Sequence, residues 1–166
     1  MVKKLNLYNF YKNKKVLVTG HTGFKGSWLV AWLLKMESNV IGISKDVNTN
    51  PSNFEVLQLK KKIKNYFLDI NNYKKIKKII VKEKPDIIFH LAAQAILSTS
   101  YTHPIETINT NTLGSFNILH AVSFLKNRCV CIMVTSDKCY FNFEKKRGYK
   151  ETSTLGGKDI YSGSKA

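Results

Sequence analysis

A glycine-rich segment at residues 19–26, between an apolar run and an amphipathic run, constrains this sequence more than any other feature. Its glycines stand three positions apart: Gly20, Gly23 and Gly26. In a strand-turn-helix unit such glycines permit a tight turn, close approach to a pyrophosphate and tight packing of helix on strand, while helix N-terminal amides stabilise phosphate charge. A turn without a ligand is the alternative, which the flanking strand and helix patterns disfavour. This glycine turn is therefore predicted to bind a dinucleotide.

The remainder of the chain alternates between short apolar runs and helical patterns. The predicted strands are residues 16–18, 40–43, 66–68, 86–91 and 129–135. The predicted helices are residues 24–36, 52–60, 71–84, 104–126 and 159–165. Short strands that are apolar on both faces and alternate with helices form a parallel sheet covered on both sides. The predicted fold class is therefore α/β, a doubly wound parallel sheet in one domain, with an irregular connection at residues 137–158.

Two of the predicted helices can be described in more detail. Asn71 or Asn72 is expected to cap the third helix, which Pro85 terminates. The lysines of that helix are expected on its solvated face. Its predicted buried side chains are Ile76, Ile79 and Ile80. In the helix predicted at residues 104–126, the apolar side chains available for burial are Ile105, Ile108, Leu113, Phe116, Ile118, Leu119 and Val122.

The formal net charge of +16 raises the question of a nucleic-acid partner. Only Arg128 and Arg147 are arginines, which leaves 27 − 2 = 25 lysines, whereas nucleic-acid sites favour the bidentate guanidinium group. The lysines are also dispersed over helical faces. A solvated basic surface without nucleic acid is therefore the preferred interpretation. Nucleic-acid binding is the alternative, and it predicts retention on DNA with a steep salt dependence.

The cysteine and hydropathy patterns bear on redox chemistry, metals and membranes. Three cysteines are too few for a disulfide framework, and Cys129 and Cys131 are predicted to be buried free thiols on one strand face. No histidine lies near them, so no metal site is expected. No apolar run approaches the ~20 residues of a membrane span, and no signal peptide is expected before the first strand. We expect a cytoplasmic protein without a membrane partner.

Asp46 is a candidate for choosing between NAD and NADP. It follows Gly26 by 20 positions, beyond the second predicted strand. A carboxylate there accepts hydrogen bonds from the adenosine ribose and repels a 2′-phosphate, which favours NAD. A solvated loop aspartate is the alternative, because the adjacent Lys45 could serve a phosphate.

Further candidates lie where the third and fourth predicted strands end, at the edge where open α/β sheets bind ligands. Asp69 ends the third strand, and Leu91, Ala92 and Ala93 follow the fourth. The small alanines would let the backbone approach a cofactor. Simple packing between helix and sheet is the alternative for these positions.

Tyr161 and Lys165 are four residues apart at the start of a predicted helix, so they project from the same face. A lysine ammonium beside a tyrosine favours the phenolate, which makes Tyr161 a usable general base near neutral pH. Ser136, Asp137 and Lys138 follow the fifth predicted strand and add a hydroxyl, a carboxylate and an amine at the same sheet edge. We predict a catalytic site from these five residues.

Six strings carry a resemblance to a known family. They are VLVTGHTGFKGSWL (16–29), FHLAAQ (89–94), TNTLGS (110–115), VTSDKCY (134–140), GYKE (148–151) and LGGKDIYSGSKA (155–166). On these motifs the chain resembles the extended short-chain dehydrogenase/reductases, and within them the sugar-nucleotide 4,6-dehydratases. Within the six strings, GHTGFKG and SDKCY are more specific than the glycine triplet alone. Three local departures stand out. Ser98 and Thr99 precede Ser100-Tyr101 where the family usually has one or two arginines, Ile160 stands where proline is usual, and Gly163 where alanine is usual.

The resemblance implies NAD as a cofactor bound throughout and CDP-glucose as the substrate that loses water to give CDP-4-keto-6-deoxyglucose. Tyr161 would remove the C4 hydroxyl proton, with Lys165 and Ser136 assisting. Asp137 is the implied acid for the C6 hydroxyl, and Lys138 the candidate base at C5. The implied cofactor-binding residues are Gly20, Thr22, Gly23, Phe24, Gly26, Asp46, Asp69, Ile70, Leu91, Ala92, Ala93, Asn111, Tyr161 and Lys165.

Members of the resembled family continue for about as many residues again. Residues 1–166 are therefore expected to be a Rossmann-type NAD-binding domain, truncated before the substrate domain, and a homodimer is implied for the longer protein. Two alternatives stay open. One is another NAD-dependent sugar-nucleotide dehydratase or an epimerase, and the other is an inactive fragment that retains at most nucleotide binding.

Overall fold

Five parallel strands in the order β3-β2-β1-β4-β5 form the sheet in the computed structural model, which describes residues 6–166. The strands are β1 (Lys15–Thr19), β2 (Asn39–Ser44), β3 (Lys64–Phe67), β4 (Ile87–His90) and β5 (Val130–Met133). After β3 the chain crosses back to the other side of β1. The strand order thus has a switch point between β1 and β4, and ligands of open α/β sheets bind at such a point. The predicted fold class is confirmed.

Helices cover both faces of this sheet. They are α1 (Leu7–Tyr11), α2 (Phe24–Lys35), α3 (Asn53–Val56), α4 (Tyr73–Glu83), α5 (Leu97–Thr102), α6 (Pro104–Ile108), α7 (Gly114–Val122) and α8 (Ile160–Lys165). A π-helical turn, Asn109–Leu113, joins α6 to α7. The helix predicted at residues 52–60 is interrupted at Gln58, whose φ of 50° is left-handed. The sequence patterns did not predict α1 or α5.

Two apolar clusters bury the two faces of the sheet. The cluster beneath α4 and α7 includes Leu17, Ile41, Ile88, Ile76, Ile80 and Ile118. The cluster beneath α2 and α3 includes Val16, Val18, Val40, Val30, Leu33 and Phe54. The predicted stripe of α4 is confirmed for its two fully buried isoleucines, and Ile79 is half-buried. Asn72 caps that helix, since its Oδ1 accepts a hydrogen bond from the Lys75 amide at 3.2 Å.

The two outer strands of the described sheet differ from the prediction. β3 begins two residues earlier than expected, because its first side chain is Lys64, whose ion pair with Glu83 of α4 no apolar pattern reveals. On β5 the side chain of Val130 is 58% exposed. Cys129 and Cys131 are free but half-buried rather than buried, and burial raises the pKa of the Cys129 thiol to about 11.

The helix predicted at residues 104–126 ends at Val122, and its buried face is not the apolar one. Thr107, Asn111 and Gly114 are buried along it, together with Ile118 and Ala121. Lack of space explains why a glycine lies on the buried face, because a Cβ on Gly114 would lie 2.4 Å from Ile70 Cδ1. The predicted burial is therefore wrong for most of this set. The exposed members are Ile105, Ile108, Leu113, Phe116 and Leu119.

Other surface features concern membranes and metals. Within residues 6–166, no helix has the length and apolar character needed to cross a membrane. The same part of the chain holds no group of three His, Cys, Asp or Glu side chains placed to bind a metal ion. Trp28 and Trp32 were part of the apolar spacing that predicted α2. Both lie largely at the surface of this helix, 50% and 65% exposed.

Candidate functional site

The glycine turn lies between the end of β1 and the start of α2, as predicted. Gly20 has a left-handed φ of 70°, and a Cβ on it would lie 2.7 Å from the Ala92 amide nitrogen. A Cβ on Gly26 would lie 2.1 Å from the Gly20 carbonyl oxygen. Gly20 therefore lets the chain after β4 approach the turn, and Gly26 lets α2 pack against it. Gly23 directly precedes the first residue of α2. It has no side chain to cap the helix, so the N-terminal amides of α2 stay available to a ligand.

His21, inside the glycine turn, lies beneath β2. Its Nδ1 is 3.0 Å from Ser44 Oγ, and its Nε2 is 2.5 Å from Asn65 Oδ1. Since an amide oxygen only accepts, Nε2–H is the donor to Asn65. A Cβ on Gly42 would lie 2.5 Å from the imidazole ring, so the glycine makes room for it. Burial lowers the pKa of His21, and the neutral ring ties the turn to β2 and β3.

A cavity of about 670 Å³ opens at the carboxyl edge of the sheet, above the switch point between β1 and β4. Most of the predicted cofactor-binding residues line it, although they come from five separate stretches of sequence. These residues are Gly20, Thr22, Gly23, Phe24, Gly26, Asp46, Asp69, Ile70, Leu91, Ala92, Ala93, Tyr161 and Lys165. The volume and the concave shape are those of a small-molecule site.

Charged side chains line the part of the cavity next to β2 and β3. Asp46 is exposed there, and its carbonyl oxygen accepts a hydrogen bond from Thr22 Oγ1 at 2.6 Å. Lys45 Nζ lies 3.8 Å from Asp69 Oδ2 and 3.8 Å from Glu106 Oε1. Glu106 was not predicted, because nothing in a helical pattern shows that α6 reaches this cavity. Lys45 thus faces two carboxylates.

Tyr161 and Lys165 line the opposite part of the cavity from α8. Asp159 begins this helix, since its Oδ1 accepts from the Ser162 amide at 2.8 Å and its Oδ2 from Ser162 Oγ at 2.7 Å. Tyr161 is buried and Lys165 is half-buried. Burial also lowers the pKa of the Lys165 ammonium. The predicted shared face of these two side chains is the face that meets the cavity.

Ser136, Asp137 and Lys138 lie just outside the cavity lining. The residues that follow β5 and line the cavity are Val134 and Thr135. Ser136 Oγ donates to Asp137 Oδ1 at 2.9 Å and accepts from the Lys138 amide at 3.2 Å. These contacts form a single 3₁₀ turn, Asp137–Cys139, which packs against α8 and leaves both charged side chains exposed.

Asn111 has a different place from the cofactor contact that the resemblance implies. Its side chain is buried in the π-helical turn and does not line the cavity. Oδ1 accepts from the Gln94 amide at 2.9 Å, and Nδ2 donates to the Gln94 carbonyl at 3.1 Å and to Ser164 Oγ at 2.9 Å. Asn111 therefore holds the chain after β4 against α8.

The sheet order, the glycine turn and the position of the cavity together define a Rossmann-type nucleotide-binding fold. The chain belongs to the GDP-mannose 4,6-dehydratase family, whose model matches residues 17–166. This membership confirms the resemblance to sugar-nucleotide dehydratases of the extended short-chain dehydrogenase/reductase family.

Two curated relatives and one solved structure illustrate the similarity. CDP-glucose 4,6-dehydratase of Salmonella typhimurium is 45% identical over 95% of this chain and 44% of its own length. CDP-paratose 2-epimerase of Salmonella typhi is 32% identical over 84% of this chain and 41% of its own length. A UDP-glucose 4-epimerase structure from Stenotrophomonas maltophila with bound NAD has a TM-score of 0.78 at 21% identity, covering 92% of this chain and 46% of that one. The chain thus spans less than half the length of these proteins.

Proposed function

We propose that this chain is the NAD-binding part of a sugar-nucleotide 4,6-dehydratase that converts CDP-glucose to CDP-4-keto-6-deoxyglucose. One observation carries the proposal: a single cavity has the glycine turn on one side and Tyr161 with Lys165 on the other. Such a cavity would hold a dinucleotide and a reacting hydroxyl side by side. The 45% identity to CDP-glucose 4,6-dehydratase supports this choice of base and sugar.

The shape of the glycine turn supports a pyrophosphate site there. Side chains at Gly20 and Gly26 would collide with backbone atoms, so the turn offers bare amides at the start of α2. Asp46 would accept hydrogen bonds from the adenosine ribose, and Asp69 lines the same cavity. Bound NAD would supply an acceptor, and later a donor, of hydride at the sugar.

Tyr161 would take the proton of the sugar C4 hydroxyl. Lys165, on the next turn of α8, would stabilise the phenolate through its positive charge. Asp137 would protonate the leaving C6 hydroxyl, and Lys138 would remove the C5 proton, since both follow the strand whose Val134 and Thr135 line the cavity. These roles need a sugar bound at the opening of the cavity beside β5.

Isothermal calorimetry with NAD and NADP tests the cofactor part of the proposal on this chain. We expect saturable binding of NAD at one site and weaker binding of NADP, because Asp46 would repel a 2′-phosphate. Absence of a saturable heat of binding with NAD would overturn the NAD site.

The substrate is tested on the complete polypeptide that contains these residues. It would be assayed with CDP-, dTDP- and GDP-glucose, and a 4-keto product only from CDP-glucose is expected.

We further propose that the complete polypeptide forms a homodimer through an apolar face on α6, α7 and the residues that follow. Five exposed apolar side chains make up this face: Ile105, Leu113, Phe116, Leu119 and Phe124. Phe116 and Phe124 both contact the His120 ring in tilted arrangements, with ring centroids 5.4 and 5.3 Å from it. Several exposed large apolar side chains on neighbouring turns are typical of an interaction site. A twofold axis would bury the same face of both copies.

Phe116→Glu tests the dimer, because it would place a charge at the centre of the proposed contact. Sedimentation equilibrium of the complete polypeptide is expected to show a dimer for the wild type and a dissociation constant raised at least about tenfold for the variant. Val56→Glu is the matched control, since Val56 is 70% exposed on α3, away from this face. A monomeric wild type, or equal weakening by both substitutions, would contradict the proposed interface.

A further inference from the structure

A buried histidine lies beneath the floor of the cavity, between two hydroxyl groups. His90 is the last residue of β4 and is only 3% exposed. Its Nδ1 is 2.7 Å from Thr19 Oγ1, at the end of β1, and its Nε2 is 3.0 Å from Ser115 Oγ, on α7. The ring therefore links the end of β1, at the switch point of the sheet, to α7. Neither the predicted catalytic residues nor the predicted cofactor contacts include it.

The neighbouring groups fix which ring nitrogen carries the proton. Ser115 Oγ donates its only hydrogen to the Asn111 carbonyl at 2.6 Å, so it can only accept from the imidazole. Nε2–H of His90 is therefore a donor. Burial, and to a smaller degree the charge of Lys165, lower the pKa of His90 to about 4, so the ring is neutral at neutral pH. Nδ1 is then an acceptor from the Thr19 hydroxyl.

The chain of hydrogen bonds continues beyond both hydroxyls to residues that line the cavity. Thr19 Oγ1 accepts from the Ala92 amide at 3.1 Å. At the other end, Asn111 donates to Ser164 Oγ at 2.9 Å, and Ser164 Oγ donates to the Tyr161 carbonyl at 2.7 Å. Every hydroxyl in this relay has one donor and one acceptor, so the bonds have a single direction. The relay joins the chain after β4 to the helix that carries Tyr161.

We propose that His90, as the neutral Nε2–H tautomer, is a positioning residue that holds the loop at Ala92 and the helix at Tyr161 in register for the nicotinamide half of the cofactor. The inference rests on the proposed NAD site. The adenosine half would be held by the glycine turn and the carboxylates beside β2 and β3. These groups have their own supports, in particular the contacts of His21 with Ser44 and Asn65.

Comparing NAD with ADP-ribose, which lacks the nicotinamide, tests this division. Ser115→Ala removes the acceptor of the Nε2–H bond from a helix that lies outside the glycine turn, and Ser115→Thr restores a hydroxyl. Calorimetry on this chain is expected to show NAD binding about tenfold weaker in the alanine variant, with ADP-ribose binding unchanged and the threonine variant restored. Equal weakening of both ligands would overturn the positioning role, since it would indicate general damage to the fold.

Long-range ¹H–¹⁵N correlation spectra of the wild type give a readout that does not depend on ligand binding. The chain has four histidines, and a His90→Gln sample assigns the signals of interest. A protonated Nε2 and a bare Nδ1 are expected, and the opposite tautomer would overturn the relay. Failure of the wild type to bind NAD would instead overturn the proposed function, while the tautomer would still decide whether the relay exists.

Discussion

Gly26→Ala is expected to reduce NAD binding at least about 100-fold, because the turn has no room for a methyl group. A Cβ at this position would lie 2.1 Å from the Gly20 carbonyl oxygen and 2.8 Å from His21 Cα. These are backbone atoms that no rotamer change can move aside. The start of α2 must therefore shift away from β1, and its N-terminal amides move with it. Calorimetry with NAD measures the loss, and circular dichroism reports the accompanying fall in the thermal midpoint.

Gly163→Ala is the matched control for that substitution. Gly163 lies in α8 and is exposed, and no neighbouring atom lies within 4 Å of the position that a methyl group would occupy. Alanine is favoured over glycine inside a helix by about 0.5–1 kcal/mol, so a slightly higher thermal midpoint and unchanged NAD affinity are expected. A Gly26→Ala variant that binds NAD as tightly as this control would refute the assignment of the glycine turn.

Local patterns were sufficient to predict the parts of the site that are close in sequence. The glycine turn follows from three glycines between an apolar triplet and a helical repeat, and the structure has β1 and α2 in those places. The shared face of Tyr161 and Lys165 follows from helix geometry alone. Both elements lie at the carboxyl edge of a parallel sheet, so they could be expected at one site without knowledge of any tertiary contact.

Contacts between distant segments could not be predicted in this way. Periodicity shows that α7 is a helix, but not which face is buried. The face with Gly114 is buried because a Cβ there would meet Ile70. The ring of His90 is another example, since its partners Thr19 and Ser115 are 71 and 25 residues away. A motif such as FHLAAQ indicates a strand end, whereas the role of its histidine depends on the hydroxyls around it.

A substitution in α8 tests the proposed chemistry, as Gly26→Ala tests the glycine turn. In the complete polypeptide, Tyr161→Phe is expected to slow formation of the 4-keto product by roughly 10²–10⁴-fold, which is the usual contribution of a positioned general acid or base. Phenylalanine keeps the buried ring of Tyr161 and removes only the hydroxyl, so the thermal midpoint should stay close to that of the wild type and NAD should still saturate the site. Detection of CDP-4-keto-6-deoxyglucose by mass, as loss of one water, measures the rate.

Tyr73→Phe is the control, because Tyr73 lies on α4, where its ring stacks on His120 and does not line the cavity. It should leave the rate unchanged. If Tyr161→Phe retained full activity while Lys165→Met lost it, the lysine would be needed for binding alone and the proton at C4 would pass to another group. If neither substitution slowed the reaction, α8 would not carry the chemistry. A selective loss in Tyr161→Phe with NAD still bound would place the phenolic oxygen at the reacting hydroxyl, because no other property of the side chain changes.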